Sequence, residues 1–143
     1  MEAVSAVLDA ARACAPVLAA RAADIEAARR LPADLAADMA AAGLFRLAIP
    51  RSLEGLELPP AEMVEVLEAV AEGDASAGWC LMIGATTALV ADYLPRHHAE
   101  AILGPGDVIT GGVFAPMGRA VVEDGAYSVS GRWSWASGSA NCR

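Results

Sequence analysis

The sequence contains no lysine: all ten of its basic residues are arginine, and no basic stripe appears along the chain. Eighteen acids bring the net charge to −8. Phosphate recognition needs a concentrated basic surface, so a nucleic-acid binder is excluded. Cysteine is equally scarce. Cys14, Cys80 and Cys142 are odd in number, far apart and without a C-x-x-C pair. That pattern excludes a disulfide framework and a zinc site, and it points to a reducing, cytoplasmic setting. A basic leader is missing too, because "MEAVSAVLDAARAC" carries acids early, unlike a secretory signal. The one charge-free run, Ala75 to Ala91, is short for a membrane span. Gly78, Gly84, Thr86 and Thr87 break it, and Asp74 and Asp92 flank it rather than arginines. It is expected to be a helix buried on nearly all sides of a bundle, with no membrane involved.

What is present is a globular composition, 56% hydrophobic over 143 residues, enough for one domain-sized core. Val4, Leu8, Ala11, Ala15, Leu18, Ala22 and Ile25 fall at spacings of three or four, a helical stripe. Pro16 interrupts it and predicts a kink or a break into two helices. "LPADLAADMAAAGLF" reads as the next helix, with Pro32 near its start, Asp34 in the first turn and Gly43 at its stop. "RLAIPRSLEGLELPP" is an extended connector. A further helix spans Ala61 to Ala71, with Glu62, Glu65, Glu68 and Glu72 wet and Met63, Val66, Leu67 and Val70 dry. Without a histidine among them, those four acids read as a solvated face and not a metal site. "GDAS" supplies a stop and a new N-cap for a helix running to about Leu94, and Pro95 opens a short one. His97 and His98 are adjacent and should point to different sides, poor geometry for one metal. No metal is expected.

From "GPGD" onward the texture changes to β-branched and aromatic residues, with "EDGA" as a hairpin turn at Glu123 to Ala126. The fold class read from this order is α+β: a helical domain over residues 1–105, then the opening strands of an antiparallel β domain over 106–143. In "SGRWSWASG" the large residues Trp133 and Trp135 alternate with small ones, which predicts a strand through Ser137 and Gly138. Two or three strands without a covering face are marginal and leave an open edge. The chain is therefore expected to need further chain, or a second chain, to close its sheet.

That order of elements, carrying these words, resembles the acyl-CoA dehydrogenase superfamily. "LPADLAADMAAAGLFRLAIPRSLEGLEL" is similar to its second helix and the loop after it, although Leu53-Glu54-Gly55 keeps one of the two usual glycines. "EVLEAVAEGDASAGWCLMI" is similar to the next helix pair, and "GGVFAPMGRAVVEDGAYSVSGRWSWASG" to the start of the middle β domain. The resemblance spans nearly the whole chain but only the front part of a typical member. Dehydrogenases carry Thr-Glu-Pro-x-x-Gly-Ser-Asp where this chain has Phe114-Ala115-Pro116-Met117-Gly118-Arg119. The Ala-Pro pair, the Gly-Arg-Trp strand and "DASAGW" are more similar to the flavin-dependent two-component monooxygenases.

The resemblance implies a flavin cofactor, FMN or FAD, reduced by a separate flavin reductase, and a small aromatic or polyketide-like substrate to be hydroxylated. It places Trp135 against the isoalloxazine ring and Ser137 near the ring's N5 and C4 edge. Phe114, Ala115 and Pro116 would lie along the pyrimidine side, with Gly138 allowing close backbone approach. Ser137 would position the reacting flavin or the substrate. Trp79 would line a substrate cavity, its alternative reading being a core residue. The same resemblance leaves two alternatives open. One is an acyl-CoA dehydrogenase, with FAD oxidising the Cα–Cβ bond of an acyl thioester. The other is a catalytically inert chain, either truncated or a helical subunit needing a second chain. In this family the base comes from a C-terminal bundle, so no acid or histidine of residues 1–143 takes that role.

Overall fold

A computed structural model describes residues 2–142, with side chains from Ser5 onward. Six α-helices precede a two-stranded sheet: α1 Glu2–Ala20, α2 Ala22–Ala28, α3 Ala33–Ala41, α4 Pro60–Ala71, α5 Ala75–Thr87, α6 Arg96–Leu103, β1 Gly118–Glu123 and β2 Ala126–Gly131. The core lies where α1, α3, α4 and α5 meet the connector that follows α3. Leu18, Met39, Leu44, Leu47, Ile49, Val66, Val70, Leu81 and Leu103 are fully buried there.

Helix α1 runs through Pro16 as one element, so the second of the two expectations, a break into two helices there, is not met. Pro16 is exposed, and so is Arg12, whose carbonyl it leaves without an intrahelical donor. The break comes at Arg21 instead. The buried stripe is Val7, Ala11, Leu18 and Ile25, with Leu8 and Ala15 half-buried and Ala22 exposed. Val4, the first residue of the predicted stripe, lies outside the described side chains.

Helix α3 starts and stops where the signals put it. Asp34 is in its first turn, and Gly43 takes φ 76° just past its end. The next segment is more structured than the extended connector expected. It makes two 3-10 turns, Leu44–Arg46 and Arg51–Leu53, and folds back on itself. Leu58 N–H bonds Leu47 O at 2.8 Å and Glu57 N–H bonds Ile49 O at 3.0 Å. A Cβ on Gly55 would lie 1.9 Å from Ile49 O, so no other residue fits that crossing. Arg46, with 8% of its surface exposed, fastens the loop. Its guanidinium donates to the backbone carbonyls of Leu53, Glu54, Leu103 and Pro105, tying the connector to the end of α6.

Helix α4 begins with Pro60 at its first position and buries Met63, Val66, Ala69 and Val70, while Glu65, Glu68 and Glu72 stay wet. Helix α5 is capped by Asp74, whose carboxylate accepts from Ala77 N–H at 2.8 Å. The stretch Ala75–Tyr93 is long and apolar enough to cross a membrane by length and composition alone. It is α-helical only to Thr87 and then tightens into a 3-10 turn over Ala88–Tyr93. The expectation of a helix covered on nearly all sides is corrected here. The small residues Ala77, Gly78, Gly84 and Ala85, with Leu81, face the core, whereas Trp79, Leu89, Val90 and Tyr93 are exposed. On α6, His97 and His98 do not diverge: their exposed rings lie against each other, centroids 4.0 Å apart.

Residues 104–117 contain no strand, although "DVITGGVFAP" suggested one. They follow α5 instead, with Val108 and Ile109 buried and the Thr110 hydroxyl donating to Gly84 O at 3.1 Å. Strands β1 and β2 pair antiparallel with Gly118 opposite Gly131 and Glu123 opposite Ala126. Asp124 and Gly125 both take positive φ, the two-residue turn that the "EDGA" signal calls for. Every residue of both strands is exposed.

Candidate functional site

Chain direction changes at the end of β2. The predicted strand through "WSWASG" is not formed, because β2 stops at Gly131. Trp133 turns back across the hairpin, and its ring fills the space where side chains on Gly118 and Gly131 would stand. Trp135 then adopts φ 64°, a left-handed conformation costly for so bulky a residue. Trp135 and Ser137 thus do not share a strand face; Ser137 N–H bonds Trp135 O at 2.9 Å in a tight reversal. Gly138 follows at φ 75°, and a 3-10 turn over Ser139–Asn141 completes the segment. The Asn141 amide donates to Leu31 O at 3.1 Å, fastening the turn to the loop before α3, while its own carbonyl oxygen is buried without a donor.

This path brings Ser137 to the first turns of α5. The Trp79 indole N–H donates to Ser137 Oγ at 3.0 Å, across 58 positions of sequence. The contact stands between two cavities. The larger, about 750 Å³, lies between α2, the start of α5 and residues 136–140, and includes Trp79, Ser76, Ser137 and Gly138 in its wall. The smaller, about 300 Å³, is bounded by Gly111, Gly112, Val113, Trp133 and Cys142. Ala136, Ser137 and Ser139 belong to both walls. Cavities of this size range suit small molecules and flat ring systems.

Of the residues singled out from sequence, the structure brings together Trp79, Ser137 and Gly138. Trp79 is 56% exposed and so is no core residue. Trp135 and Phe114 are 93% and 96% exposed and line neither cavity, and Ala115 and Pro116 are exposed beside Phe114. Three residues of the cavity walls escape the sequence reading. Trp133 reads there only as half of an alternation, although glycines at 118 and 131, paired at the open end of the hairpin, mark its seat. The arginine pair Arg29 and Arg30, at the end of α2, lines the larger cavity.

Titration adds little nucleophilic character. Burial pushes the Cys80 thiol up, and the Asp74 carboxylate and Cys142 push it the same way. Burial raises the Cys142 thiol as well. No cluster of three metal-ligating side chains occurs among the described residues. The groups at these walls are thus the hydroxyls of Ser76, Ser137 and Ser139, the arginines Arg29 and Arg30, and the rings of Trp79 and Trp133. Such a set fits a planar heteroaromatic group that stacks and accepts hydrogen bonds.

The pattern described as acyl-CoA dehydrogenase, N-terminal domain, matches residues 2–102. Indole-3-acetate monooxygenase of Pseudomonas putida is 33% identical over 122 residues, which is 84% of this chain and 31% of that protein. The oxygenase subunit HsaA, a flavin-dependent monooxygenase of Rhodococcus jostii, is 32% identical over 86% of this chain and 32% of its own length. Among solved structures, the HsaA monooxygenase from M. tuberculosis superposes with a TM-score of 0.90 at 30% identity, over 97% of this chain and 38% of that one. XiaF from Streptomyces, in complex with FADH2 and glycerol, superposes at 0.86 with 27% identity, over 94% of this chain and 34% of that one. The chain spans about a third of the length of the curated relatives that it matches. With the helical region and the opening hairpin of that fold both in place, the chain belongs to the acyl-CoA dehydrogenase family.

Proposed function

We propose that this chain is the N-terminal portion of the oxygenase component of a flavin-dependent monooxygenase, hydroxylating an aromatic or polyketide-like small molecule. The observation that carries the reading is the Trp79–Ser137 contact at the shared wall of two cavities. It occurs in a chain whose relatives bear the names of monooxygenases and hydroxylases. The flavin, FMN or FAD, supplies the activation of dioxygen when bound. Ser137 offers its hydroxyl to the ring edge and Trp135 its uncovered face, and the exposed Phe114, Ala115 and Pro116 contribute a further apolar surface. Gly138 keeps the turn beside Ser137 low. The larger cavity holds the substrate against Trp79.

A separate reductase delivers the reduced flavin, in keeping with the relative named as the oxygenase component of a resorcinol hydroxylase. The working protein resides in the cytoplasm. Its helical domain covers residues 1–105 and its β domain opens at 106. The bare faces of the hairpin and of α5, which expose Val122, Tyr127, Val129, Leu89 and Tyr93, are covered in that protein by further chain of the same fold or by a second chain. Titrating the chain with FMN and FAD, oxidised and dithionite-reduced, while following tryptophan fluorescence tests the reading. Saturable quenching that favours the reduced form and disappears in Trp135→Leu supports it. A soluble, folded chain that binds neither reduced flavin refutes it for these residues.

A further inference from the structure

We propose that Trp79 is a positioning residue whose indole N–H sets the rotamer of Ser137, so that the serine presents its hydroxyl hydrogen and one lone pair to the ligand. This rests on the flavin reading of Ser137. Chemistry fixes the direction of the bond. An indole nitrogen can only donate, so Ser137 Oγ must accept, leaving its own hydrogen and a second lone pair uncommitted.

The anchoring matters because of where the two residues sit. Ser137 lies in an irregular segment, between two left-handed residues, Trp135 and Gly138. A serine there would otherwise distribute among staggered rotamers. Trp79 stands instead on α5, near an N-terminus that Asp74 holds by accepting from Ala77 N–H and from the Ser76 hydroxyl. A loop hydroxyl is thereby tied to a rigid helix, which removes rotamer freedom before any ligand arrives. Burial does not account for Trp79, since more than half of its surface is open.

The chain is tested as wild type, Trp79→Phe, which keeps a ring but loses the donor, Ser137→Ala, Ser137→Thr, and Trp79→Phe combined with each serine variant. Two readouts are used, the indole N–H resonances and binding of reduced FMN and reduced FAD. Ser137→Ala should move the Trp79 indole resonance. Trp79→Phe should weaken reduced-flavin binding roughly three- to tenfold, the range of one neutral hydrogen bond. In the Ser137→Ala background the same change should cost nothing more, whereas Ser137→Thr should preserve the coupling. An indole resonance unmoved by Ser137→Ala, or losses that add in the double variant, would overturn the proposal. Failure of the flavin reading itself looks different: wild type then binds neither reduced flavin, and the proposal falls with it.

Discussion

Arg46 offers the sharpest test of how the helical region is held together. Its guanidinium is buried against Leu53 O at 2.5 Å and Pro105 O at 3.0 Å, with Glu54 O and Leu103 O at 3.3 and 3.4 Å. In Arg46→Met the four carbonyls lose their donor. Those of Leu53 and Leu103 belong to buried residues and water cannot readily replace it; those of Glu54 and Pro105 belong to exposed residues and can be solvated. Two unsatisfied buried acceptors cost about 1–3 kcal/mol each. Release of the guanidinium from a desolvated site returns part of that. The net loss should be about 2–3 kcal/mol, or roughly 6–12 °C in Tm for a chain of this size. Thermal and urea denaturation followed by far-UV circular dichroism measures it, with Arg51→Met as control. The Arg51 side chain is exposed and only its backbone N–H bonds Glu57, so that change should stay within about 0.5 kcal/mol. If Arg46→Met melts with wild type, the claim that this residue fastens the connector to α6 is wrong.

Three other outcomes follow from particular contacts. Gly84→Ala would set a Cβ 2.7 Å from the buried Phe45 ring. The overpacking should outweigh the gain in helix propensity and lower stability by about 1–2 kcal/mol in urea titration. Trp135→Asn replaces a bulky residue at φ 64° with one that tolerates it, while losing little packing. Stability should rise by about 0.5–1 kcal/mol as reduced-flavin binding weakens, and a variant unchanged in both would remove Trp135 from the site. The Arg21 guanidinium, first through its hydrogen bond, holds the exposed Asp34 carboxyl below its ordinary range. A lowered folded pKa gives stability that is present above the unfolded value and lost as pH falls through the folded one. Wild type should therefore exceed Arg21→Gln at neutral pH, and the gap should close on acidification below the ordinary carboxylate range; a gap independent of pH would sink the pairing.

The helices were legible because their signals are local. Asp34, Gly43 and Asp74 each act within a turn of their own position, and the structure uses them at those places. Pro16 misled because its cost depends on whether the orphaned carbonyl meets water, a tertiary fact. Arg46 was silent in the sequence for a similar reason. Its acceptors are backbone carbonyls, two of them more than fifty residues away, and carbonyls leave no residue-type signature. The alternation in "WSWASG" was real but did not mean a strand. A period of two describes side-chain sizes, and a strand also needs a neighbour to bond its backbone. None stands beyond β2 among the described residues, so the segment spends its hydrogen bonds locally and turns toward α5. That turn is what lets Ser137 meet Trp79. The two residues had been placed at one site by resemblance, yet the bond between them depends on the strand that failed to form.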